Sequence, residues 1–561
     1  MSLRTSLLDK CRPISEFRLT PFDQRGAFRP VGGSLRRLAV RGAAVTVSAQ
    51  GLALAVQLVA TVVLARLLTP ADFGIVAMVT TFSLLLVNFG LNGFTEAIIQ
   101  QKEINHFTAS NLFWINVGLG ILLTVAFAAT GSLLAWLYHN PLVAHVTIGV
   151  SLTIFFTCTG VLHLALLKRA MRFTATSAND IFARGVSVAI AIMLALGGWG
   201  YWALVAGVVA GPLSATIGAW WLCRWVPGLP KRAAGTGATL RFALNVYGRF
   251  GVRYCSQNMD KLLVGWRFNA ASLGFYKKAY DLFALSQGQL TAPLHNVALA
   301  TLSRLSHDRV QFKRYLVKAL SIIAFVGMGL GADLTLTGRD VIRFVLGPKW
   351  GPAGAVFTLF GPGIGIMLLY SCCGWIHLSI GKPGRWLRWS LVEFVVTVFL
   401  FVLALPWGPA GVAAAWSVSF WILAIPAFWY AGKPIGLGFA PIVAAVWRYV
   451  AAAVSAGVTC AIILRVFHVP SQAGGGGEAL ARITTTSLLF VVLYLTAVIL
   501  FYGGLEPLSS ATRLLREVIP SEWIPEWFYS YPVGSLLGRF KDMLLVQRKG
   551  KATKGELTRL G

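Results

Sequence analysis

A stripe of polar side chains follows one face of a predicted helix near the middle of the chain. Its members recur at i, i+4, i+7, i+8 and i+11, and they are Arg249, Arg253, Ser256, Gln257 and Asp260. Lys261 follows them directly. Guanidinium groups engage phosphate or carboxylate oxygens through two parallel hydrogen bonds, so a stripe of this kind can bind an anion.

The next predicted helix carries a second stripe, which consists of Lys278, Asp281, Gln289 and Asn296, with Lys277 four residues before Asp281. Neither stripe suits a lipid-facing surface, so both helices should line a polar interior. Two interpretations stay open. The cations bind an anionic ligand, or they form structural ion pairs, Arg253 with Asp260 or Asp281 and Lys277 with Asp281.

The candidate residues fall into two groups. The candidates for binding an anionic ligand are Arg41, Arg184, Arg249, Arg253, Lys261, Lys277 and Lys278. The candidates for ion coupling or for simple ion pairing are Glu96, Asp260, Asp281 and Glu393, because burial in a membrane can favour the protonated form of a carboxylate. Asp333 is predicted to lie near the end of a span, as an interfacial residue.

The elements that carry these residues are predicted to be membrane-spanning helices. The chain has 561 residues, of which 56% are hydrophobic and only 12% charged, with a mean hydropathy of +0.70; soluble proteins carry roughly 25% charged residues. Apolar blocks long enough to cross a hydrocarbon core predict an all-α protein with about fourteen spans. Their predicted bounds are 44–66, 74–99, 111–137, 143–167, 180–198, 201–223, 242–266, 272–300, 315–336, 353–379, 386–406, 410–430, 443–468 and 484–503. The seventh and eighth are polar enough for a hydropathy scan to miss them.

The net charge of +29 is interpreted as a topological signal, because Lys and Arg collect in cytoplasmic loops. Basic residues follow the fourth, sixth, eighth and tenth predicted spans, whereas the alternate loops are nearly free of them. Both ends are therefore predicted to be cytoplasmic. Arg339, Arg343 and Lys349 disagree, since they follow the ninth span on the predicted outer side. Either they serve an outward-facing anionic site or that span is longer than 315–336.

The chain also repeats itself with an offset of about 200 residues. Gln57 corresponds to Gln257 and Gly74 to Gly274, in short loops and helices of the same shape. A parallel repeat of this kind predicts two six-helix lobes that enter the membrane from the same side. The predicted organisation is a basic segment 1–43, an N-lobe 44–223, a linker 224–241, a C-lobe 242–430, two extra spans within 431–503 and an interfacial tail 504–561. The extra spans either dock outside the two lobes or form a side groove for a lipid tail.

Three strings carry a family resemblance. They are Val63-Leu64-Ala65-Arg66-Leu67-Leu68-Thr69-Pro70-Ala71-Asp72-Phe73-Gly74, Leu166-Leu167-Lys168-Arg169-Ala170-Met171-Arg172-Phe173 and Leu273-Gly274-Phe275-Tyr276-Lys277-Lys278-Ala279-Tyr280. Over about residues 36–430 the chain resembles bacterial polysaccharide exporters of the multidrug/oligosaccharidyl-lipid/polysaccharide (MOP) superfamily, above all Wzx-type flippases. The resemblance implies export of undecaprenyl-pyrophosphate-linked oligosaccharide repeat units across the inner membrane by alternating access. It further implies membrane lipids, and the polysaccharide polymerase and glycosyltransferases of the same pathway, as partners.

Other classes fit the residues less well. We find no phosphate-binding loop that ends in Gly-Lys-Ser/Thr and no metal-ligand spacing, so we expect no cofactor, no metal and no enzymatic activity. No basic soluble domain suits nucleic acid. A membrane polysaccharide polymerase or ligase is the enzyme alternative, but it would need a large outer loop. A cation-coupled multidrug exporter of the same superfamily should carry a carboxylate in its first span, where this chain has none.

Overall fold

A computed structural model of the chain describes residues 21–22, 28, 35–100, 104–230, 251, 254–255, 257–467 and 476–504. The described residues are almost entirely helical, as the apolar blocks predict. The first seven helices are α1 (Leu35–Leu67), α2 (Pro70–Gln100), α3 (His106–Ala129), the short α4 (Gly131–Leu137), α5 (Leu142–Arg169), α6 (Phe173–Leu196) and α7 (Tyr201–Cys223). The remaining helices are α8 (257–267), α9 (Ala270–Arg304), α10 (Arg309–Leu346), α11 (Gly351–Ser379), α12 (Pro383–Ala404), α13 (Gly408–Gly432), α14 (Ala440–Val466) and α15 (Gly476–Tyr502). We call α1–α7 the N-lobe and α8–α13 the C-lobe.

Eleven candidate spans meet the length and hydropathy of a membrane crossing among the described residues, and one of them, Gly384–Ile435, contains both α12 and α13. Neither α8 nor α9 is among the eleven, as the sequence predicts for its polar seventh and eighth spans. The described helices are compatible with fourteen spans. The protein is therefore a multi-pass membrane protein.

Local sequence explains where several helices begin. Asn105 accepts a hydrogen bond from the Thr108 amide at the start of α3, and Asn269 accepts one from the Ser272 amide at the start of α9. Asp308 accepts bonds from two amides in the first turn of α10. Asn and Asp are preferred at these positions because their side-chain oxygens satisfy amides that have no partner inside the helix.

The prediction for the ninth span was wrong at both ends. Helix α10 has 38 residues and continues from Arg309 to Leu346, so Arg339 and Arg343 belong to the helix itself. Lys349 lies just beyond it and donates to the carbonyl oxygens of Arg66 and Leu68, at 2.8 and 2.6 Å. The helix is thus longer than the predicted span, which was one of the two explanations offered for these basic residues.

Asp333, which the sequence places near the end of the ninth predicted span, is the 25th residue of the 38-residue α10, and its side chain faces α15. Because α10 is longer than the predicted span, this residue lies further from the end of its helix than from position 336.

The N-lobe and the C-lobe meet where α2 and α9 begin. Glycines at equivalent positions of the repeat allow their first turns to touch: a Cβ on Gly74 would lie 1.7 Å from the Ala270 carbonyl oxygen, and one on Gly274 would lie 1.9 Å from that of Pro70. Only a residue without a side chain permits this approach. The indole of Trp350 donates to the Ala65 carbonyl at 2.9 Å and is fully buried beside the contact. This end of the interface between the lobes is closed.

The last two helices, α14 and α15, pack on each other and on α10. The predicted tail 504–561 lies outside the described residues, apart from Gly504, as do Arg249, Arg253 and most of the basic segment. The backbone at Arg41, Glu96, Gln289 and Asn296 is helical, but their side chains are outside the described part of the structure.

Candidate functional site: a cavity between the lobes

A cavity of about 330 Å³ lies between the lobes, directly beside the closed contact of α2 and α9. The N-lobe contributes a mainly apolar wall from α2, α5 and α7, in which the polar groups are Thr80, Ser83 and Thr153. The C-lobe contributes charge from α9. Its lining residues are Lys277, Lys278 and Asp281. The charged residues of the cavity wall thus all come from the C-lobe, from the second polar stripe and the adjacent Lys277.

Lys277 and Asp281 form an ion pair across one turn of α9. The Lys277 ammonium contacts both carboxylate oxygens of Asp281, at 2.6 and 2.7 Å. Spacing of i and i+4 brings the two side chains together on one helix face. The ion pair considered for these two residues is therefore present.

Lys278 is different, because among the described residues no carboxylate lies within ion-pairing distance and no acceptor takes a hydrogen bond from it; Asp281, one turn along α9, acts on its charge only from further away. It is only 9% exposed, and its ammonium lies 4.0 Å from the ring centroid of Phe73, which belongs to α2 of the N-lobe. A cation over a phenyl ring gains about 0.5–2 kcal/mol. This stabilisation is small compared with the free energy that it costs to bury a charge inside a membrane. Lys278 is therefore a positive charge available to a ligand in the cavity.

Lys261 and Asp260 are buried behind the cavity wall rather than in it. The Lys261 ammonium donates to the side chain of Asn258 at 2.9 Å and lies 3.7 Å from the centroid of the Tyr280 ring. Asp260 accepts a hydrogen bond of 2.8 Å from the hydroxyl of Tyr276 and lies 3.9 Å from Lys261. These contacts brace α8 against α9.

The remaining candidates with described side chains lie elsewhere. Arg184 is exposed on α6 and does not line the cavity. Glu393 on α12 accepts a hydrogen bond of 2.8 Å from Tyr370 on α11, inside the C-lobe. The structure thus brings together Lys277, Lys278 and Asp281, places Asp260 and Lys261 behind them, and separates both Arg184 and Glu393 from the cavity.

Sequence reasoning missed the N-lobe side of the site. Phe73 belongs to a string already singled out, yet nothing in the sequence indicates that its ring covers a lysine about 200 residues away. Thr80, Ser83 and Thr153 resemble ordinary helix residues; Ser83 and Thr153, for example, donate to carbonyls three residues earlier in their own helices. Only the relation between the two lobes reveals that they face a charged wall.

Comparison with solved structures defines the class of fold. The chain superposes on a lipid II flippase, MurJ, in its inward closed conformation, with a TM-score of 0.65, 14% identity, and coverage of 82% of this chain and 99% of that one. It also resembles an inward-facing multidrug transporter of the MATE family and the MOP superfamily, with a TM-score of 0.50, 13% identity, and coverage of 72% and 96%. The fold is that of the MOP transporters.

Residues 63–355 match the family described as polysaccharide biosynthesis protein, and the chain belongs to that family. Two relatives are each 23% identical to it. The succinoglycan biosynthesis transport protein ExoT of Rhizobium meliloti matches 60% of this chain and 68% of its own length. The lipopolysaccharide biosynthesis protein WzxC of Escherichia coli matches 62% and 69%.

Proposed function

We propose that this protein is a flippase that exports lipid-linked oligosaccharide repeat units for surface polysaccharide synthesis. Membership of the polysaccharide biosynthesis family and the names of its relatives support the class of cargo. The observation that carries the proposal is the Lys278 ammonium, which has no direct ion pair or hydrogen bond among the described residues and lines a cavity between two lobes. A cationic group there suits the diphosphate that joins a glycan to its lipid carrier.

The cavity in this state has room for a head group but not for a whole repeat unit. A volume of about 330 Å³ corresponds to roughly ten waters at about 30 Å³ each. The diphosphate would occupy this space, the sugars would extend toward the open side, and the lipid tail would stay in the bilayer. Arg249 and Arg253, which precede α8 in the sequence, are proposed to contribute further donors, with Arg41 as another candidate.

Alternating access follows from the closed contact of α2 and α9. With one end sealed by backbone contact, a head group enters from the opposite side, and the lobes must then separate at α2 and α9 to release it. The loop charges support an inward-opening state in the bacterial inner membrane, with both termini cytoplasmic. No part of this cycle requires a chemical reaction in the protein, so we propose a transporter rather than an enzyme.

A multidrug exporter is the alternative with the same fold. A cationic drug would meet the positive charge of Lys278 in the cavity. That charge favours an anionic cargo.

The first experiment deletes the gene and measures surface polysaccharide and lipid-linked repeat units. We expect the polysaccharide to be lost and the repeat units to accumulate on the inner leaflet, because the cargo can no longer cross. The full-length chain should restore export. Normal polysaccharide with altered drug tolerance in the deletion strain would reject the flippase.

The second experiment complements that strain with K278Q. A lost charge-assisted hydrogen bond is worth about 1.5–3 kcal/mol, so export should fall by roughly 10- to 100-fold, while K278R should retain most of it. The matched control is K277Q on the same helix, where Asp281 already neutralises the charge; its effect should be smaller. Full export by K278Q at normal expression would remove Lys278 from the cargo site.

A further inference from the structure

Asp333 lies inside α10, well away from both ends of that helix and away from the cavity between the lobes. Its carboxylate Oδ2 accepts a hydrogen bond of 3.1 Å from the Ser487 hydroxyl of α15. Ser487 is the twelfth residue of the 27-residue α15, so it stands about 16 Å from one helix end and about 22 Å from the other. Both α10 and α15 are candidate membrane spans, so the contact lies within the membrane-spanning part of the protein, away from both ends of α15.

The second oxygen of this carboxylate has no partner. Asp333 Oδ1 is buried and accepts no hydrogen bond among the described residues. The nearest titratable group from α14 is Cys460, whose thiol donates weakly to the Thr486 carbonyl at 3.9 Å. Helix α11 meets this stretch of α10 on another face, through Gly361 and Gly365, and brings no titratable group there.

The basic residues of this region interact with Asp340, the other acidic residue of α10. Arg482 of α15 forms an ion pair of 2.9 Å with Asp340, two turns further along α10. Arg339 and Arg343 also lie close enough to Asp340 to act on its charge. No ion pair reaches Asp333 in the described part of the chain, although its neighbour on the same helix has one.

An ionised carboxylate held by one hydroxyl, without a cation, is costly at this depth, and a buried acid in that position is neutralised by taking up a proton. A metal ion would need more ligands, because hard cations take about six or more oxygens and this seam offers a carboxylate and one hydroxyl. We infer that Asp333 is a proton-binding site in the seam between α10, α14 and α15, separate from the cavity that holds the cargo.

The step itself is simple. A proton from water binds Oδ1 and the charge of the group changes from −1 to zero; on release the proton returns to water, and the carboxylate keeps the Ser487 hydrogen bond. Release places an unpaired charge in a seam of apolar helices, so the docking of α15 on α10 depends on whether the proton is bound.

Infrared spectroscopy of the full-length protein in phospholipid vesicles tests this site without any cargo. We expect a carbonyl band of a protonated carboxylic acid whose area changes with pH. D333N should lose the band, whereas D340N, the same change at the ion-paired acid, should keep it. D333E should shift the band in frequency, and that result decides the question if D333N fails to fold. An unchanged band in D333N or D333E would overturn the inference.

Hydrogen exchange gives a second readout. Exchange of the α14 and α15 amides should depend on pH, beyond the intrinsic chemical dependence, in the wild type and in D333E but not in D333N. Equal pH dependence in all three would overturn the inference. Because neither measurement uses polysaccharide export, failure here leaves the proposed function intact, and failure of the deletion experiment leaves this site untouched.

Discussion

At the scale of single residues, the charge pattern predicted which side of the cavity is charged but not the state of each charge. Lys277 and Lys278 are neighbours in sequence, yet one is neutralised by Asp281 and the other rests on Phe73. The ion pair was foreseeable, because i and i+4 spacing is local. The contact with Phe73 was not, because it depends on how two lobes meet.

Tyr276 provides a test of the brace behind the cavity. Its hydroxyl is fully buried and donates to Asp260, whose other oxygen already lacks a hydrogen-bond partner. In Y276F the carboxylate loses this donor, so we expect the protein to lose about 1–3 kcal/mol of stability. Thermal unfolding of the purified protein followed by tryptophan fluorescence measures the change.

The matched control is Y280F, one turn further along α9. The ring of Tyr280 lies against the Lys261 ammonium, and phenylalanine keeps that ring. Its unfolding temperature should stay close to that of the wild type. If Y276F and Y280F unfold at the same temperature, the hydrogen bond to Asp260 does not stabilise the fold.

At the scale of helices, hydropathy and loop signals located nearly every element. The structure departs from the predicted helix bounds where charged residues lie inside a helix. Helix α10 continues through Arg339, Asp340 and Arg343, charges that a hydropathy pattern assigns to water; Asp340 pairs with Arg482 of α15, and both arginines lie close enough to act on its charge. The sequence alone cannot reveal the ion pair between Asp340 and Arg482, because Arg482 belongs to α15, about 140 residues later in the chain.

The glycines at the start of α2 and α9 lead to a prediction about closure. G74A places a methyl group where the Ala270 carbonyl lies, so the closed contact should open or loosen. In a chain without its native cysteines, the rate at which a thiol reagent labels T80C would measure this opening, because position 80 lines the cavity behind the contact. We expect an impermeant thiol reagent added from outside to label T80C several-fold faster in the G74A background.

G51A is the control for that measurement. Gly51 lies on α1, and a Cβ there would meet nothing within 4 Å. Labelling of T80C should be unchanged by G51A. Equal labelling in the G74A and G51A backgrounds would mean that the glycine contact does not seal the cavity.

At the scale of the whole molecule, the family and the fold were foreseeable from three short strings and a repeat, whereas the depth of each charge in the membrane was not.

The orientation of the protein in the membrane stays a prediction from basic loops. If both termini are cytoplasmic, an impermeant maleimide should label N140C in intact cells and K382C only after the cells are permeabilised. The reverse pattern would invert the topology and would place the closed end of the cavity on the cytoplasmic side.

The contact between α2 and α9 also bears on the electrical resistance of the membrane. A seal made of side chains opens whenever a rotamer changes, on the picosecond to nanosecond scale. Here the backbone itself closes the path at Gly74 and Gly274, so no single side chain can swing aside to admit an ion. Ions can pass only when whole helices separate, which is slow, on the microsecond to millisecond scale. The closed protein can therefore remain in an energised membrane without dissipating the membrane potential.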